Sequence, residues 1–389
     1  MKKMNKKLKI SLITIGSIIL CVVLFIVGYV GYIFFSYSRI GNQDLTINQK
    51  SNLKTIETNT TYRCISYNIG FGAYSQDFTF FLDTGYDDND KATCGHYSKA
   101  KSKDEVLFNV TGAVNVVKNQ NVDFCFFQEV DTNSDRSHHI NLDKKIQEGF
   151  EAYDHIHAVN YHTAFMPYPL YDMHGRSNAG LTTISKYQMN EAKRVEYPIS
   201  NSFSKLFDLD RCFSYSYVNV NNNKKLYLVN SHMSAYDEGG TIRKKQLEVL
   251  NNFLEERKQN NDYVLVGGDF NHDLLTYNPM YQYTNENRVF EMTKKTPDWV
   301  NYFFDENKNS PLIDGYTMYA SDNHPTCRNN DIEWNPEETY VCCVDGFIAS
   351  DNIKVTNKYN IMTKDGNKGL DGFAYSDHEP ALIEFELIN

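Results

Sequence analysis

Two short polar clusters contain the residues with the clearest chemical potential. One reads Gly-Gly-Asp-Phe-Asn-His over residues 267–272, and the other reads Tyr-Ser-Asp-His-Glu-Pro over residues 375–380. Each stands where an apolar, strand-like run begins or ends. Their carboxylates, amide and imidazole are groups that hold a hard divalent cation and activate water. The two clusters therefore predict metal-assisted hydrolysis of a phosphate ester.

Polar side chains also close four other strand-like runs. Any one of them alone is typical of a turn or a solvated surface. Because a sheet gathers strand ends at one edge, however, all of them are expected to meet the two clusters there. These residues are Asn68, Glu129, His232 and Asp345.

Alternating strand and helix patterns predict the scaffold that positions these side chains. Apolar strand-like runs lie at 63–67, 122–127, 226–230 and 263–266. A Ser-Lys-Asp-Glu capping box at 102–105 predicts the start of a helix, and apolar residues at helical spacing predict another helix over 247–254. This alternation indicates an α/β sandwich. The stretch 274–340 is less regular and is interpreted as an elaborated loop region.

The N-terminus predicts a single membrane span. Residues 1–9 carry five lysines and no acid, and residues 10–35 carry no charge. A helix of about 20 apolar residues crosses a bilayer, and the lysines place the N-terminus in the cytoplasm. A cleaved signal peptide is the rival interpretation, but the apolar run is longer than an ordinary signal and no small-x-small cleavage site follows it. We predict a cytoplasmic tail at 1–9, a signal anchor at 10–35, a polar stalk at 36–60 and an extracytoplasmic catalytic domain at 61–389.

Charge and cysteine content narrow the class of protein. Of 39 basic residues, six precede residue 41, whereas all 49 acids follow it, so residues 41–389 carry a formal charge of −16. That balance disfavours binding driven by nonspecific attraction to a nucleic-acid backbone. Four of the eight cysteines are candidates for disulfide bridges, and no spacing suggests zinc. These four are Cys94, Cys327, Cys342 and Cys343.

Seven short motifs follow one another along about residues 62–389: N-x-G, QE, S-N-A-G-L, S-H, G-G-D-F-N, V-D-G and S-D-H. In these motifs and their order the sequence resembles the endonuclease/exonuclease/phosphatase superfamily. Deoxyribonuclease I, neutral sphingomyelinases and inositol polyphosphate 5-phosphatases are members of that superfamily. The resemblance implies a four-layer α/β sandwich of two mixed β-sheets flanked by helices, here preceded by one transmembrane helix.

The resemblance also implies a metal site and a catalytic pair. Glu129 is expected to be the principal metal ligand, with Asn68 beside it and Asp377 assisting the metal or the neighbouring histidine. Such oxygen ligands suit Mg²⁺, or Mn²⁺ or Ca²⁺. His378 and Asp345 are expected to form an imidazole–carboxylate pair.

Further roles follow from the same resemblance. Asp269 is expected to orient or deprotonate the attacking water, although within the superfamily either it or the histidine can be the base. Asn271 and His232 are expected to bind phosphoryl oxygens. Arg211, Arg136 and Asn178 are weaker candidates for substrate contacts. For Asn178, a role in shaping the strand turn is the alternative.

The predicted function is a membrane-anchored, Mg²⁺-dependent phosphoesterase that cleaves a phosphate mono- or diester by in-line attack of water. Its substrate is a lipid headgroup, a sugar or inositol phosphate, or extracellular nucleic acid, the last fitting the charge less well. No specific protein partner is predicted. A hypothesis of another class is a non-catalytic surface module that binds a ligand. Such a module is expected to have lost a catalytic residue, whereas here all are present.

Overall fold

Two mixed β-sheets lie face to face between outer helices in the computed structural model. The structure describes residues 5–87, 89–235, 241–275, 282–285, 288–291, 296–297, 299–305 and 307–388. The α-helices are α1 (Lys6–Ser36), α2 (Lys103–Asn119), α3 (Leu142–Gly149) and α4 (Thr241–Gln259).

Twenty strands are described, of which nine have four residues or fewer. The first ten are β1 (Gln43–Asp44), β2 (Thr55–Ile56), β3 (Thr61–Asn68), β4 (Thr84–Tyr86), β5 (Ala92–Cys94), β6 (Phe124–Asp131), β7 (Asp154–His162), β8 (Asn178–Ser185), β9 (Asn190–Glu196) and β10 (Cys212–Val220). The next five are β11 (Lys225–His232), β12 (Tyr263–Asp269), β13 (Gln282–Asn285), β14 (Arg288–Glu291) and β15 (Tyr316–Tyr319). The last five are β16 (Cys327–Arg328), β17 (Val341–Cys342), β18 (Asp345–Ser350), β19 (Ile353–Asn360) and β20 (Ala381–Leu387).

Both large sheets mix parallel and antiparallel pairs. The six-stranded sheet has the order β19-β20-β3-β6-β8-β7. The eight-stranded sheet has the order β1-β9-β10-β11-β12-β18-β15, with β2 beside β10. The pairs β3–β6, β11–β12 and β2–β10 are parallel. The predicted pair of mixed sheets is thus confirmed.

The alternation of side chains along β3 shows how the four layers form. Tyr62 and Cys64 point toward the second sheet, whereas Ile65 and Tyr67 lie in the cluster that the helices α2 and α3 cover. Since both faces are buried, both carry apolar residues, and the strand reads as a nearly continuous apolar run. The helix α4 covers the outer face of the second sheet in the same way, through Leu250 and its neighbours. The order helix, sheet, sheet, helix is the predicted four-layer sandwich.

The capping box at the start of α2 forms nearly as predicted. Ser102 Oγ accepts a hydrogen bond from Glu105 N at 3.1 Å, and the Glu105 carboxylate accepts from Lys101 N at 2.7 Å. We expect Ser102→Ala to lower the free energy of unfolding by about 1 kcal/mol, because the amide of Glu105 loses its partner. Urea denaturation would measure this loss. Lys103→Ala, which removes no cap, should cost less, and equal losses in the two variants would contradict the role of the cap.

The helix α1 contains the whole predicted span 10–35. Its side chains from Leu8 to Val27 are exposed, and it is long and apolar enough to cross a membrane. Its last turns instead contact the domain, where Ile33 is buried against Ala164 and Leu206.

The predicted stalk at 36–60 is wrong, because these residues lie against the domain. The strand β1 pairs with β9, β2 pairs with β10, and Ile56 is fully buried between the sheets. Arg39 forms an ion pair with the buried carboxylate of Asp210. Pairing with an exposed sheet edge satisfies the backbone of a polar segment whatever its side chains are, which explains why composition alone suggested a linker.

All eight cysteines are free thiols, so none of the four bridge candidates is paired. Cys327 and Cys342 do lie directly opposite each other on β16 and β17. Both are buried, and Cys343 is buried beside them, whereas Cys94 is exposed.

Candidate active site

Strand ends from both sheets bring the predicted residues together at one edge of the sandwich. In the eight-stranded sheet, His232, Asp269 and Asp345 are direct neighbours across β11, β12 and β18. In the six-stranded sheet, β3 ends at Asn68, beside Gln128 of β6. The Asn68 amide nitrogen lies 3.0 Å from Asp269 Oδ2, so side chains of the two sheets meet at this edge. We call it the catalytic edge.

His378 and Asp345 form the expected pair. His378 Nδ1 lies 2.8 Å from Asp345 Oδ2, and both side chains are buried. Burial raises the pKa of Asp345. Burial also opposes the charged form of His378, but the carboxylates of Asp345 and Asp269 outweigh it and raise the pKa of His378 well above its ordinary value. The ring is therefore held as an imidazolium whose Nε2 faces the site.

The Asp269 carboxylate is the centre of the group. Its Oδ2 lies 3.4 Å from His232 Nε2 and 3.7 Å from His378 Nε2, and its Oδ1 accepts a hydrogen bond from Asn271 N at 2.9 Å. Burial raises the pKa of Asp269 to about 6, against the opposing effect of the His378 charge. A carboxylate with that pKa is ionised at neutral pH yet basic enough to accept a proton from water.

The predicted phosphoryl-binding residues lie beside Asp269. Burial, with the nearby positive charges of Arg211 and His378, lowers the pKa of His232, so its ring is neutral. Asn271 has a left-handed backbone (φ +50°), and its amide nitrogen donates to Met233 O at 2.9 Å. Arg211 Nη1 donates to the same carbonyl at 2.8 Å, while its buried Nε has no hydrogen-bond partner among the described residues. One face of the site is therefore lined by hydrogen-bond donors.

Glu129 and Asp377 provide the negative side of the site. Glu129 lies in the left-handed region (φ +55°), and Asn68 Nδ2 approaches its Oε1 at 3.4 Å. Burial raises the pKa of Glu129, and the charge of Asp377 raises it further, while the cations around it act in the opposite direction. The buried carboxylate of Asp377 and the half-buried carboxylate of Glu129 repel each other, and binding of a divalent cation would offset both charges.

Asn68 presents its nitrogen to this site. Its Oδ1 accepts a hydrogen bond from Gly70 N at 3.0 Å, whereas its Nδ2 faces Glu129, Asp269 and His378. In this orientation Asn68 is a donor to the carboxylates. Acting as a metal ligand would require rotation of the amide, which exchanges its donor and acceptor positions.

Asn330, which the sequence did not suggest, positions Asp377. Its Nδ2 lies 3.0 Å from Asp377 Oδ2 and 3.0 Å from Asp83 Oδ2, and Ser376 Oγ donates to Asp377 Oδ1 at 3.2 Å. Arg328 N also donates to the carbonyl of Asp377 at 3.0 Å. The only signal in the sequence was the polar run that follows Cys327 within an irregular stretch.

Arg136 lies near the site, but its partner is Asp131 of the same chain, whereas the prediction was a contact with the substrate. Its guanidinium binds both oxygens of Asp131, at 2.8 and 3.1 Å, and is stacked between the rings of Phe71 and Tyr161. It adds positive charge near Glu129, but its hydrogen bonds are used within the fold. Asn178 begins β8 at the catalytic edge, and its carbonyl accepts from Thr132 N, in keeping with a role in shaping the turn.

The matches to known proteins agree with this architecture. A sequence profile described as the Endonuclease/Exonuclease/phosphatase family matches residues 65–324. Among solved structures, D. rerio TDP2 complexed with single-strand DNA product is similar at 13% identity and a TM-score of 0.51, over 84% of this chain and 100% of that one. ANGEL2, a 2',3'-cyclic phosphatase, in complex with adenosine-2',3'-vanadate, is similar at 14% identity and a TM-score of 0.50, over 88% and 98% of the two chains.

No curated protein matches the sequence. The two structural likenesses, at such low identity, show the fold alone. The profile, in contrast, covers more than half of the chain and includes Asn68, Glu129, His232 and Asp269. On that match, the chain belongs to the Endonuclease/Exonuclease/phosphatase family.

Proposed function

We propose that the chain is a membrane-anchored, divalent-metal-dependent phosphoesterase whose catalytic domain lies outside the cytoplasm. The observation that carries the proposal is the position of the Asp269 carboxylate, within 3.4 Å of His232 Nε2 and 3.7 Å of His378 Nε2, with Asp345 behind His378. This arrangement places a base (Asp269), a positively charged imidazolium (His378) and a neutral hydrogen-bond donor (His232) around one small volume. Attack of water on a phosphorus atom needs those three functions.

In the proposed reaction Asp269 accepts a proton from the attacking water. Its pKa of about 6 leaves it ionised near neutral pH, whereas His378 stays protonated and cannot serve as the base in that state. The imidazolium of His378, supported by Asp345, instead stabilises the negative charge that develops on the phosphoryl oxygens. His232 and Asn271 orient those oxygens by donating hydrogen bonds. Arg211 is the proposed further contact for the phosphate.

Glu129 and Asp377 are the residues proposed to hold the metal ion, with Asn68 beside them. The ion, which we propose to be Mg²⁺ with Mn²⁺ or Ca²⁺ as alternatives, supplies Lewis acidity that neutralises phosphoryl charge. The repulsion between the two carboxylates supports this assignment, because a bound divalent cation would offset it.

The proposed topology rests on α1 and on the charges that flank it. Lysines at positions 6, 7 and 9 precede the apolar stretch, which favours a cytoplasmic N-terminus and an extracytoplasmic domain. The formal charge of −16 on residues 41–389 disfavours nucleic acid as the substrate. We therefore place phosphate esters of lipids, sugars or inositol ahead of nucleic acid.

Hydrolysis assays on the full chain in detergent micelles test this proposal. The substrates are bis-p-nitrophenyl phosphate, p-nitrophenyl phosphate, plasmid DNA and sphingomyelin, each with Mg²⁺ and with EDTA. Turnover that requires the metal is the expected result, and preference for plasmid DNA would identify a nuclease. The absence of turnover together with a failure to bind Mg²⁺ or Mn²⁺ would favour the non-catalytic binding module.

Glu129→Gln is expected to raise the Mg²⁺ concentration for half-maximal activity by at least about tenfold, because an amide oxygen carries no charge to attract the ion. A Mg²⁺ titration of turnover measures the change. Glu148→Gln removes an equivalent charge from the exposed surface of α3 and should leave the titration unchanged. Coincident titration curves for wild type and Glu129→Gln would exclude Glu129 as a ligand.

A further inference from the structure

The anchor helix α1 contacts the domain through two chain segments. One is the connection between β7 and β8, residues 163–177, and the other is the connection between β9 and β10, residues 197–211. The Tyr29 hydroxyl donates to Phe165 O at 2.8 Å, and Phe165 N donates to the Tyr32 hydroxyl at 3.1 Å. In the second segment, the ring of Phe203 packs against that of Phe34 with centroids 6.1 Å apart.

Both segments leave the sandwich at the catalytic edge. Strand register places His162, the last residue of β7, opposite Asn178, and places Ala179 opposite Asp131, two residues beyond Glu129. In the other sheet, Glu196 lies opposite Cys212, which in turn lies opposite His232. The helix α1 is therefore attached on the side of the domain where the reacting groups lie.

The length of α1 places these contacts at the outer surface of the membrane. Twenty residues, Ile10 to Tyr29, make a helix about 30 Å long, which is the thickness of the hydrocarbon core. Tyr29 and Tyr32 then lie at the level of the headgroups, where tyrosine is enriched. Phe165, which both tyrosines contact, lies at the same level.

The exposed apolar side chains of the domain concentrate in the same two segments. Beyond residue 40, nine large apolar side chains are exposed among those described, and six of them lie in these connections. Leu170 is 77% exposed, more than any other of the nine. Such a cluster on an otherwise acidic domain marks a surface that is covered in the functional state. The six, which we call the apolar rim, are Phe165, Tyr168, Leu170, Tyr171, Met173 and Phe203.

We propose that the apolar rim inserts into the headgroup layer of the bilayer that holds α1, so that the catalytic edge faces that bilayer. Continuity with a membrane helix makes lipid the occupant, since the rim begins where the helix leaves the hydrocarbon core. The exposed Arg176 faces the Tyr32 hydroxyl at the same level, where a lipid phosphate would pair with it. If the proposed function holds, the substrate is a phosphate ester of a lipid in that membrane.

Fluorescence quenching tests the position of the rim without reference to catalysis. The full chain has two tryptophans, Trp299 and Trp334, so one more can be followed by difference. Leu170→Trp and Leu53→Trp would each be reconstituted into vesicles with and without brominated phosphatidylcholine. Leu53 is 45% exposed and lies beside Tyr187, beyond the opposite end of β8. Brominated lipid should quench the added tryptophan at position 170 but not at position 53.

Equal quenching at the two positions would overturn the inference, and so would the absence of quenching at both. If neither position is quenched and the protein forms a concentration-dependent oligomer, a second copy of the chain is the occupant of the rim. Activity supplies a second readout. Leu170→Ser is expected to lower turnover of vesicle sphingomyelin about tenfold and to leave turnover of bis-p-nitrophenyl phosphate unchanged. Leu53→Ser should change neither. Equal losses on both substrates would count against the rim, whereas inactivity on every substrate with quenching preserved would count against the proposed function alone.

Discussion

Replacing His378 by asparagine is expected to lower kcat by about 10²- to 10⁴-fold, with little change in KM. The ring is held by Asp345 at 2.8 Å, and its Nε2 lies 3.4 Å from the Asn68 amide and 3.7 Å from Asp269. An asparagine cannot carry the positive charge that this position provides when phosphoryl charge develops. Steady-state kinetics on bis-p-nitrophenyl phosphate with saturating Mg²⁺ would measure the loss.

The pH dependence separates a charged histidine from a merely structural one. Because its neighbours raise the pKa of His378, the active protonated form persists above the ordinary pKa of histidine and is lost as pH rises through the raised value. Wild-type kcat should fall on that alkaline side, and His378→Asn should lack this fall. His139→Asn is the matched control, since His139 is exposed and has a left-handed backbone (φ +60°) that asparagine tolerates. Retention of more than about a tenth of kcat in His378→Asn would contradict the assigned role.

The sequence predicts this site well where each residue ends or begins a strand. His232, Asp269 and Asp345 each stand at the boundary of an apolar run, and the sheet brings such boundaries together at one edge. His378 lies in a loop. Its pairing with Asp345 was predicted from the family resemblance, because no helical or strand spacing links the two positions.

Residues that act through other polar groups are harder to predict. Asn330 reaches Asp377 from an irregular stretch, where neither helical nor strand spacing limits the position of a side chain. Arg136, a candidate for a substrate contact, shows a related difficulty, because the sequence does not reveal which carboxylate lies beside its guanidinium. Its nearer partner is Asp131, five residues earlier, and the bidentate pair uses the guanidinium. Which carboxylate an arginine binds depends on the course of the chain between them.

The segment 36–60 shows a limit of composition. Strands of two residues, such as β1 and β2, are too short to produce an alternating pattern. Their stability comes from backbone hydrogen bonds to an existing sheet edge, which any non-proline sequence can make. The helix α1 and the domain are consequently joined by contacts, and the apolar rim beside them could not be recognised until the fold placed its two segments together.

The second large effect concerns Asp269, where activity and stability are expected to change in opposite directions. Asp269→Asn removes the proposed base and should lower kcat by about 10²- to 10⁴-fold. In wild type the proposed base must be ionised, so kcat should fall as pH falls through about 6. Activity measured between pH 5 and 8 would show both effects, and an unchanged kcat in Asp269→Asn would leave His378 as the base.

The sign of the stability change follows from the same pKa. The carboxyl of Asp269 titrates at about 6 in the folded state against 3.8 for the ordinary group, so the folded protein binds the proton more tightly than the unfolded chain does. The ionised group therefore lowers the free energy of unfolding above pH 6, by up to about 3 kcal/mol, and this cost disappears as pH falls through 6 toward 4. A neutral asparagine avoids the cost.

We accordingly expect Asp269→Asn to be more stable than wild type at pH 8 in EDTA, with an advantage that shrinks at pH 6 and vanishes near pH 4. Thermal unfolding at the three pH values would measure it. Asp351→Asn, at an exposed turn after β18, should change neither stability nor kcat. A variant less stable than wild type at every pH would mean that the hydrogen bonds from Asn68 and Asn271 outweigh the cost of burying the charge. Stability gained where activity is lost would instead show that the fold tolerates a buried negative charge because the reaction needs a base there.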